Sequence, residues 1–153
     1  MKLALLLTAA VAAFAQQPGA DAMKLFASSA DVQALIAKSK ADRKEGQAIV
    51  QQRILALAPF NATLEYRASV GPAAIHDKEA EMFYVIEGAA TMVTGGKLVN
   101  PTKNGDNQTA TAIDGGDKRQ IAKGDFIMVP PGVAHWFSQI PSTVVLMSLH
   151  LPK

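Results

Sequence analysis

Two stretches decide the fold of this chain: GPAAIHDKEAEMFYVIEG, residues 71–88, and GDFIMVPPGVAHWFSQ, residues 124–139. Each has the pattern of two strands around a tight turn, because apolar alternation is interrupted by Gly, Pro or Asp. Between them the stretches place His76, Glu81 and His135 where three side chains can converge on one metal ion. Two imidazoles and a carboxylate are a ligand set for divalent transition metals such as iron, zinc or manganese.

The rest of the chain from Gln47 onward follows a period of two. Short segments such as TLEYRAS, QTATAID and TVVLMSLHL are separated by turn residues, with no helical pattern between them. Many short strands predict an all-β sandwich or barrel. Ahead of them, residues 29–43 predict one short helix, capped by Ser29, whose narrow apolar stripe packs on the outside of the barrel.

The two stretches resemble the two sequence motifs of the cupin family, in its small single-domain cupin 2 type. The second motif of that family has Gly, Pro, Gly and His at fixed spacings. Here Gly124, Pro130, Gly132 and His135 occupy those positions, and Gln139 stands where the family has Asn. This second motif is the more specific of the two.

The first motif is matched less completely. Glu81 and Gly88 match its end and His76 matches its second histidine, whereas Ala74 occupies the position of its first histidine. The resemblance covers about residues 47–150. It implies a double-sheet jelly-roll barrel in which His76, Glu81 and His135 hold a divalent ion of Fe, Zn, Mn or Ni. It also implies a small-molecule ligand or substrate and a homodimer.

Strand alternation assigns the side chains around these candidates to faces. Glu81 shares a face with Phe83 and Val85, and His135 shares one with Phe137. A carboxylate on an apolar face must be paired or bound. A metal ion, a buried Arg or an exposed strand start would each satisfy that need.

Further residues are candidates for substrate or outer contacts. Gln139, Arg53 and Glu79 are predicted in this role: Gln139 follows His135 on its face, Arg53 alternates with leucines, and Glu79 is a reserve carboxylate. Arg67 and Glu65 are predicted to form an exposed face. Tyr84 and His150 are predicted to be packing and surface residues.

The segment between the motifs, residues 99–117, is longer and more polar than a hairpin requires. Its core NPTKNGDNQ is rich in turn formers, so it is predicted to be a loop over or beside the barrel mouth. Such loops often shape a site. A solvated surface loop without a function is the alternative.

The N-terminus has the pattern of an export signal. Residues 1–15, MKLALLLTAAVAAFA, combine a Lys, an apolar run and a small-residue cleavage site. The expected organisation is a signal peptide at 1–15, a spacer and helix at 16–46 and a barrel domain at 47–153. The mature protein is expected to be secreted or periplasmic and free of the membrane. An uncleaved N-terminal anchor is the alternative.

Composition excludes several classes of function. The chain has no cysteine, so thiol catalysis, thiolate ligation and disulfides are excluded. The formal net charge is +2 and the basic residues are scattered, so nucleic-acid binding has no support. The resemblance to cupins implies one of two functions. One is an exported metal-dependent enzyme for a small organic molecule, for which the resemblance permits oxidoreductase (dioxygenase), isomerase, decarboxylase or lyase chemistry. The other is a non-catalytic barrel that binds a small ligand, with a weak or absent metal site.

Overall fold

A computed structural model describes residues 23–152. Within this range one helix is followed by thirteen strands: α1 (Ser29–Asp42), β1 (Ile49–Leu57), β2 (Phe60–Arg67), β3 (Ala73–His76), β4 (Glu79–Glu87), β5 (Ala89–Thr94), β6 (Lys97–Val99), β7 (Thr102–Asn104), β8 (Asn107–Ala110), β9 (Ala112–Asp114), β10 (Asp117–Ala122), β11 (Phe126–Val129), β12 (His135–Gln139) and β13 (Val144–Pro152). The predicted all-β double-sheet barrel with a short N-terminal helix is confirmed. The predicted signal peptide lies outside the described residues.

Two antiparallel sheets form the barrel. The first has the strand order β1-β2-β13-β4-β11, and the second has the order β10-β5-β12-β3-β8-β7. A small third sheet pairs β6 with β9. Neighbours in each large sheet are mostly distant in sequence, as in a jelly roll. The last strand, β13, therefore lies in the middle of the first sheet, between β2 and β4.

The core lies between the two sheets and follows the alternation of the strands. Phe83 and Val85 of β4 are fully buried and face Phe137 of β12. The rings of Phe83 and Phe137 pack edge-to-face, with centroids 5.3 Å apart. Tyr84 lies on the opposite face of β4, against Phe126. The predicted inward faces of these strands are therefore the observed ones.

A close backbone approach explains Gly88 between β4 and β5. Its φ is 81°, in the left-handed region that favours glycine. A Cβ added there would lie 2.3 Å from the carbonyl oxygen of Thr143, a backbone atom that cannot move aside easily. Only glycine fits this turn, which lets β4 and β5 belong to different sheets.

The helix covers the outer face of the first sheet. Val32, Leu35 and Ile36 pack against a cluster that includes Leu64 and Tyr66 of β2. The helix is capped by Ser28 rather than by the predicted Ser29. A capping box explains the difference: the Ser28 hydroxyl accepts from the Asp31 amide, and the Asp31 carboxylate accepts from the Ser28 amide.

Because the helix covers this face, β2 is buried on both sides, and the predicted exposed face of Glu65 and Arg67 is wrong. Both residues are buried inside the barrel. Arg67 donates to Glu65 Oε2 at 2.8 Å, and its guanidinium lies 4.3 Å above the Phe137 ring. Alternation identified their shared face correctly, but a strand covered by a helix has no exposed side.

Residues 99–117 contain more strand than the loop prediction allowed, although the QTATAID segment, residues 108–114, was predicted as a strand. They contain β7, β8 and β9, and the β7–β8 hairpin adds two strands to the second sheet beside β3. Polar strands of three or four residues resemble turns in sequence, because short edge strands need few apolar side chains. In the described part of the chain, no helix has the length and apolar character needed to cross a membrane.

Candidate metal centre

The two predicted histidines come from adjacent strands of the second sheet. His76 ends β3 and His135 begins β12, and the backbone of His135 pairs with that of Ala74. The turn before β12 fixes this arrangement, because the Gly132 amide donates to the His76 carbonyl at 2.8 Å. Gly132 has φ 76°, so a glycine suits this turn.

The carboxylate comes from the other sheet. Glu81 lies on β4, between Val129 of β11 and His150 of β13. Its side chain points between the sheets toward His76 and His135. The site therefore joins the two sheets at one end of the barrel.

The three predicted ligands converge on one point. Glu81 Oε2 lies 3.3 Å from His76 Nε2 and 3.0 Å from His135 Nε2. One donor atom from each of the three residues lies within 4.8 Å of the other two. Glu81 and His135 are buried, with side chains 5% exposed, whereas the His76 side chain is 19% exposed. The site is therefore open to solvent on the side of His76.

Oxygen atoms of three further residues orient these groups. The Ser148 hydroxyl donates to Glu81 Oε1 at 2.6 Å. His76 Nδ1 lies 2.8 Å from Asn107 Oδ1, and His135 Nδ1 lies 3.5 Å from the Val133 carbonyl. With Nδ1 engaged in this way, each imidazole turns Nε2 toward Glu81. This is the orientation that metal-ligating histidines usually have.

The electrostatics favour an ionised Glu81. Burial by itself raises the Glu81 pKa, but hydrogen bonds from His135, His76 and Ser148 outweigh it and hold the pKa well below its usual range. The hydrogen bond to Glu81 in turn raises the pKa of His76. The carboxylate is thus charged at neutral pH, as a metal ligand requires.

A third imidazole, which the sequence analysis assigned to the surface, belongs to this cluster. His150 Nε2 lies 3.4 Å from Glu81 Oε1, and its ring stands edge-on to that of His76 with centroids 4.7 Å apart. A signal for this position exists in the sequence. Alternation in VLMSLHL puts His150 on the same face as Ser148 and the fully buried Leu146.

Of the other predicted substrate or outer contacts, one lies beside the histidine–carboxylate cluster and two lie away from it. Glu79 begins β4, and its Oε2 lies 3.0 Å from His150 Nδ1, so it borders the site. Gln139 is exposed and accepts a hydrogen bond from Thr91 rather than from a candidate ligand. Arg53 is exposed on β1, an edge strand two positions from β13 in the sheet.

Space for a ligand exists at the mouth rather than in the barrel. The Phe83 ring lies 5.9 Å from the His135 ring, and the Phe83–Phe137 pair fills the interior beneath the cluster. Outside, a cleft of about 820 Å³ is lined by residues that include Glu79 and Asn107, which also contact the histidines. A small molecule in this cleft would contact Glu79 and Asn107, the residues next to His150 and His76.

The donor set fits a divalent transition metal. Imidazole nitrogens and one carboxylate oxygen suit iron, zinc, manganese or nickel, and the absence of thiolates disfavours ions that need soft ligands. The Nε2 atoms face a charged oxygen, and the Nδ1 atoms face oxygens outside the cluster. Both features are those of a site that could hold a metal ion.

The fold and the site define a small jelly-roll barrel with a histidine–carboxylate cluster at its mouth. A family model described as Cupin matches residues 47–151 of this chain. The protein belongs to the cupin family.

Solved structures share the fold. The chain is similar to BH2720 from Bacillus halodurans, at 14% identity over 78% of each chain with a TM-score of 0.52. It is similar to TT1209 from Thermus thermophilus, at 14% identity over 74% of this chain and 91% of that one, with a TM-score of 0.51. It is also similar to FeII HppE, at 14% identity over 71% of this chain and 54% of that one, with a TM-score of 0.53. No curated protein matches the chain.

Proposed function

We propose that this protein is an exported, metal-dependent cupin enzyme acting on a small organic molecule. One observation carries the proposal: Nε2 of His76 and Nε2 of His135 both lie within 3.3 Å of a single oxygen of Glu81. The similarity of fold to FeII HppE is consistent with iron as one candidate metal. The proposed reaction is of dioxygenase, isomerase, decarboxylase or lyase type.

Two groups of residues would have different roles, one in binding the metal and one in orienting its ligands. His76, His135 and the ionised Glu81 would hold the metal, and Ser148 and Asn107 would fix the orientation of Glu81 and His76. When bound, the metal would supply Lewis-acid or redox chemistry. The packed Phe83 side chain would keep water from the inner side of the site, so substrate would enter from the cleft.

The shape of the barrel supports a site at the mouth over a ligand enclosed in the interior. A barrel that encloses a small ligand needs an interior chamber, whereas Phe83, Val85, Phe137 and Leu146 are almost completely buried between these sheets. The open cleft instead reaches Glu79 and Asn107, which contact His150 and His76. This arrangement favours chemistry at the mouth over storage in the interior.

Metal analysis tests the metal site. The purified protein should contain about one equivalent of a divalent transition metal, or bind one from Fe²⁺, Zn²⁺, Mn²⁺ or Ni²⁺. His135→Ala should lose most of this metal while circular dichroism still reports a β-rich fold, because the apolar core is independent of the ion. Equal metal content in the two proteins would contradict the assignment.

Turnover tests the enzymatic part. The metal-loaded protein should convert at least one member of a panel of small organic acids, sugars and phenols, and His135→Ala should not. If the metal-loaded protein binds panel members without converting any, the non-catalytic function is the correct one.

Export is a separate part of the proposal and rests on the composition of residues 1–15. Expression of the full chain in a bacterial host should yield mature protein that begins at Gln16 in the periplasm or medium. N-terminal sequencing that finds intact Met1 on most of the soluble protein would contradict export without affecting the metal site.

A further inference from the structure

All three histidines of this chain lie around one carboxylate. The sequence contains three histidines. His76 and His135 come from the second sheet, and His150 comes from β13 of the first sheet, directly opposite Glu81 on β4. His150 lies outside both sequence motifs, so neither motif explains its position.

Each of the three imidazoles turns its Nε2 toward Glu81. Their Nε2 atoms lie 3.3 Å, 3.0 Å and 3.4 Å from an oxygen of Glu81, in the order His76, His135, His150. The first two face Oε2 and the third faces Oε1. Donor atoms of one metal ion with bonds of about 2.0–2.2 Å lie roughly 3 Å apart, so the spacings of His76 and His135 from Oε2 are those of neighbouring ligands. His150 approaches the second oxygen of the same carboxylate at a similar distance, beside the group of donor atoms that lie within 4.8 Å of one another.

The outer side of His150 also matches that of the other two. Nδ1 of His76 and Nδ1 of His135 each face an oxygen outside the cluster, and Nδ1 of His150 is buried 3.0 Å from Glu79 Oε2. This last contact is short but lies off the direction of a hydrogen bond. A hydrogen bond from Nδ1 to this carboxylate, which a small turn of the Glu79 side chain would form, would fix the ring and make it a stronger ligand.

We propose that His150 is a metal ligand, so that the site consists of three histidines and Glu81. This inference rests on the proposed metal site. His150 would supply the imidazole that is missing at Ala74, but from the opposite sheet. Ala74 lies on β3 beside His135, whereas His150 lies on β13 beside Glu81.

The competing role for His150 is to position Glu81 from the side of Oε1. Ser148 already donates to that oxygen at 2.6 Å, so Oε1 has a partner without His150. The two roles give different results in a count of bound imidazoles. A ligand disappears from the metal when it is replaced, whereas replacing a positioning residue weakens metal binding but leaves the imidazole count unchanged.

Zinc serves as the probe. Wild type, His150→Ala and His150→Gln are loaded with Zn²⁺; Kd is measured by competition with a chelator, and X-ray absorption at the zinc edge counts the imidazoles. The glutamine variant keeps a polar side chain beside Glu79, in case the alanine variant folds poorly. Glu79→Gln is the matched control, because it removes the outer carboxylate and keeps all three imidazoles.

We expect three imidazoles in wild type and in Glu79→Gln, and two in both His150 variants. Glu79→Gln should weaken zinc binding about 10–100-fold, as loss of an outer partner usually does, and the His150 variants should weaken it further. An unchanged imidazole count in the His150 variants would overturn the inference and leave the proposed function intact. A wild-type protein that binds no zinc or other divalent metal would overturn both.

Discussion

The hydroxyl of Ser148 donates a 2.6 Å hydrogen bond to Glu81 Oε1, while Oε2 of the same carboxylate faces His76 and His135. Both partners of this bond are buried, Ser148 with 2% and Glu81 with 4% of its surface exposed. The bond holds the carboxylate in one rotamer and leaves one oxygen for the histidines. Ser148 is therefore part of the site, where it acts by positioning Glu81.

Ser148→Ala should weaken metal binding about 10–100-fold, because it releases Oε1 and loosens the carboxylate. Competition with a chelator measures the Kd. Ser138→Ala is the control: its hydroxyl also donates within the barrel, to the Thr91 carbonyl at 3.3 Å, but away from the candidate ligands. Equal loss of affinity in the two variants would show that Ser148 acts through general stability.

A histidine at position 74 should compensate for the loss of His150. Ala74 lies two residues before His76 on β3 and pairs with His135, so a longer side chain there faces the same cluster. We expect Ala74→His to restore at least about 10-fold of the zinc affinity lost in His150→Ala. Ala74→Gln in the same background is the control. If the two double variants bind zinc equally weakly, position 74 does not reach the metal.

The buried pair of Arg67 and Glu65 should contribute to stability only as a pair. Arg67→Met leaves the Glu65 carboxylate buried without its cation, which should cost about 3–5 kcal/mol of unfolding free energy. The double variant Arg67→Met/Glu65→Leu removes both charges and should recover most of that loss. Urea unfolding measures both. A double variant as unstable as the single one would show that packing of Arg67 over Phe137, rather than charge pairing, carries the effect.

The Asp31 carboxylate in the cap of α1 should make the unfolding free energy depend on pH at acidic pH. The hydrogen bond from the Ser28 amide to Asp31, and a second from the Ser28 hydroxyl, lower the Asp31 pKa below its ordinary value of 3.8. The stabilisation is therefore fully present above that value and is lost as the pH falls through the lower, folded-state pKa.

Wild type should accordingly be more stable than Asp31→Asn at neutral pH, and the difference should be constant until the pH falls below about 4. Thermal unfolding of both proteins between pH 3 and pH 7 measures it. A difference that stays constant throughout this range would mean that Asp31 acts through its shape and not through its charge.

Local pattern in the sequence determined most of the strands and their inward faces, and the two cupin motifs pointed to the first three members of the cluster. Alternation along residues 71–88 and 124–139 places Glu81 with Phe83 and His135 with Phe137, because the side chains of any extended strand alternate between its two faces. The glycine of the turn before β12, Gly132, follows from local backbone geometry in the same way. These features depend on neighbours in the chain, so the sequence contains them.

Only the tertiary structure decided which strands lie side by side. His150 reaches Glu81 because β13, at the end of the chain, enters the first sheet between β2 and β4. Glu65 and Arg67 became interior because α1 covers the other face of β2. Pairing partners and covering layers are contacts between distant residues, which alternation within a strand does not specify.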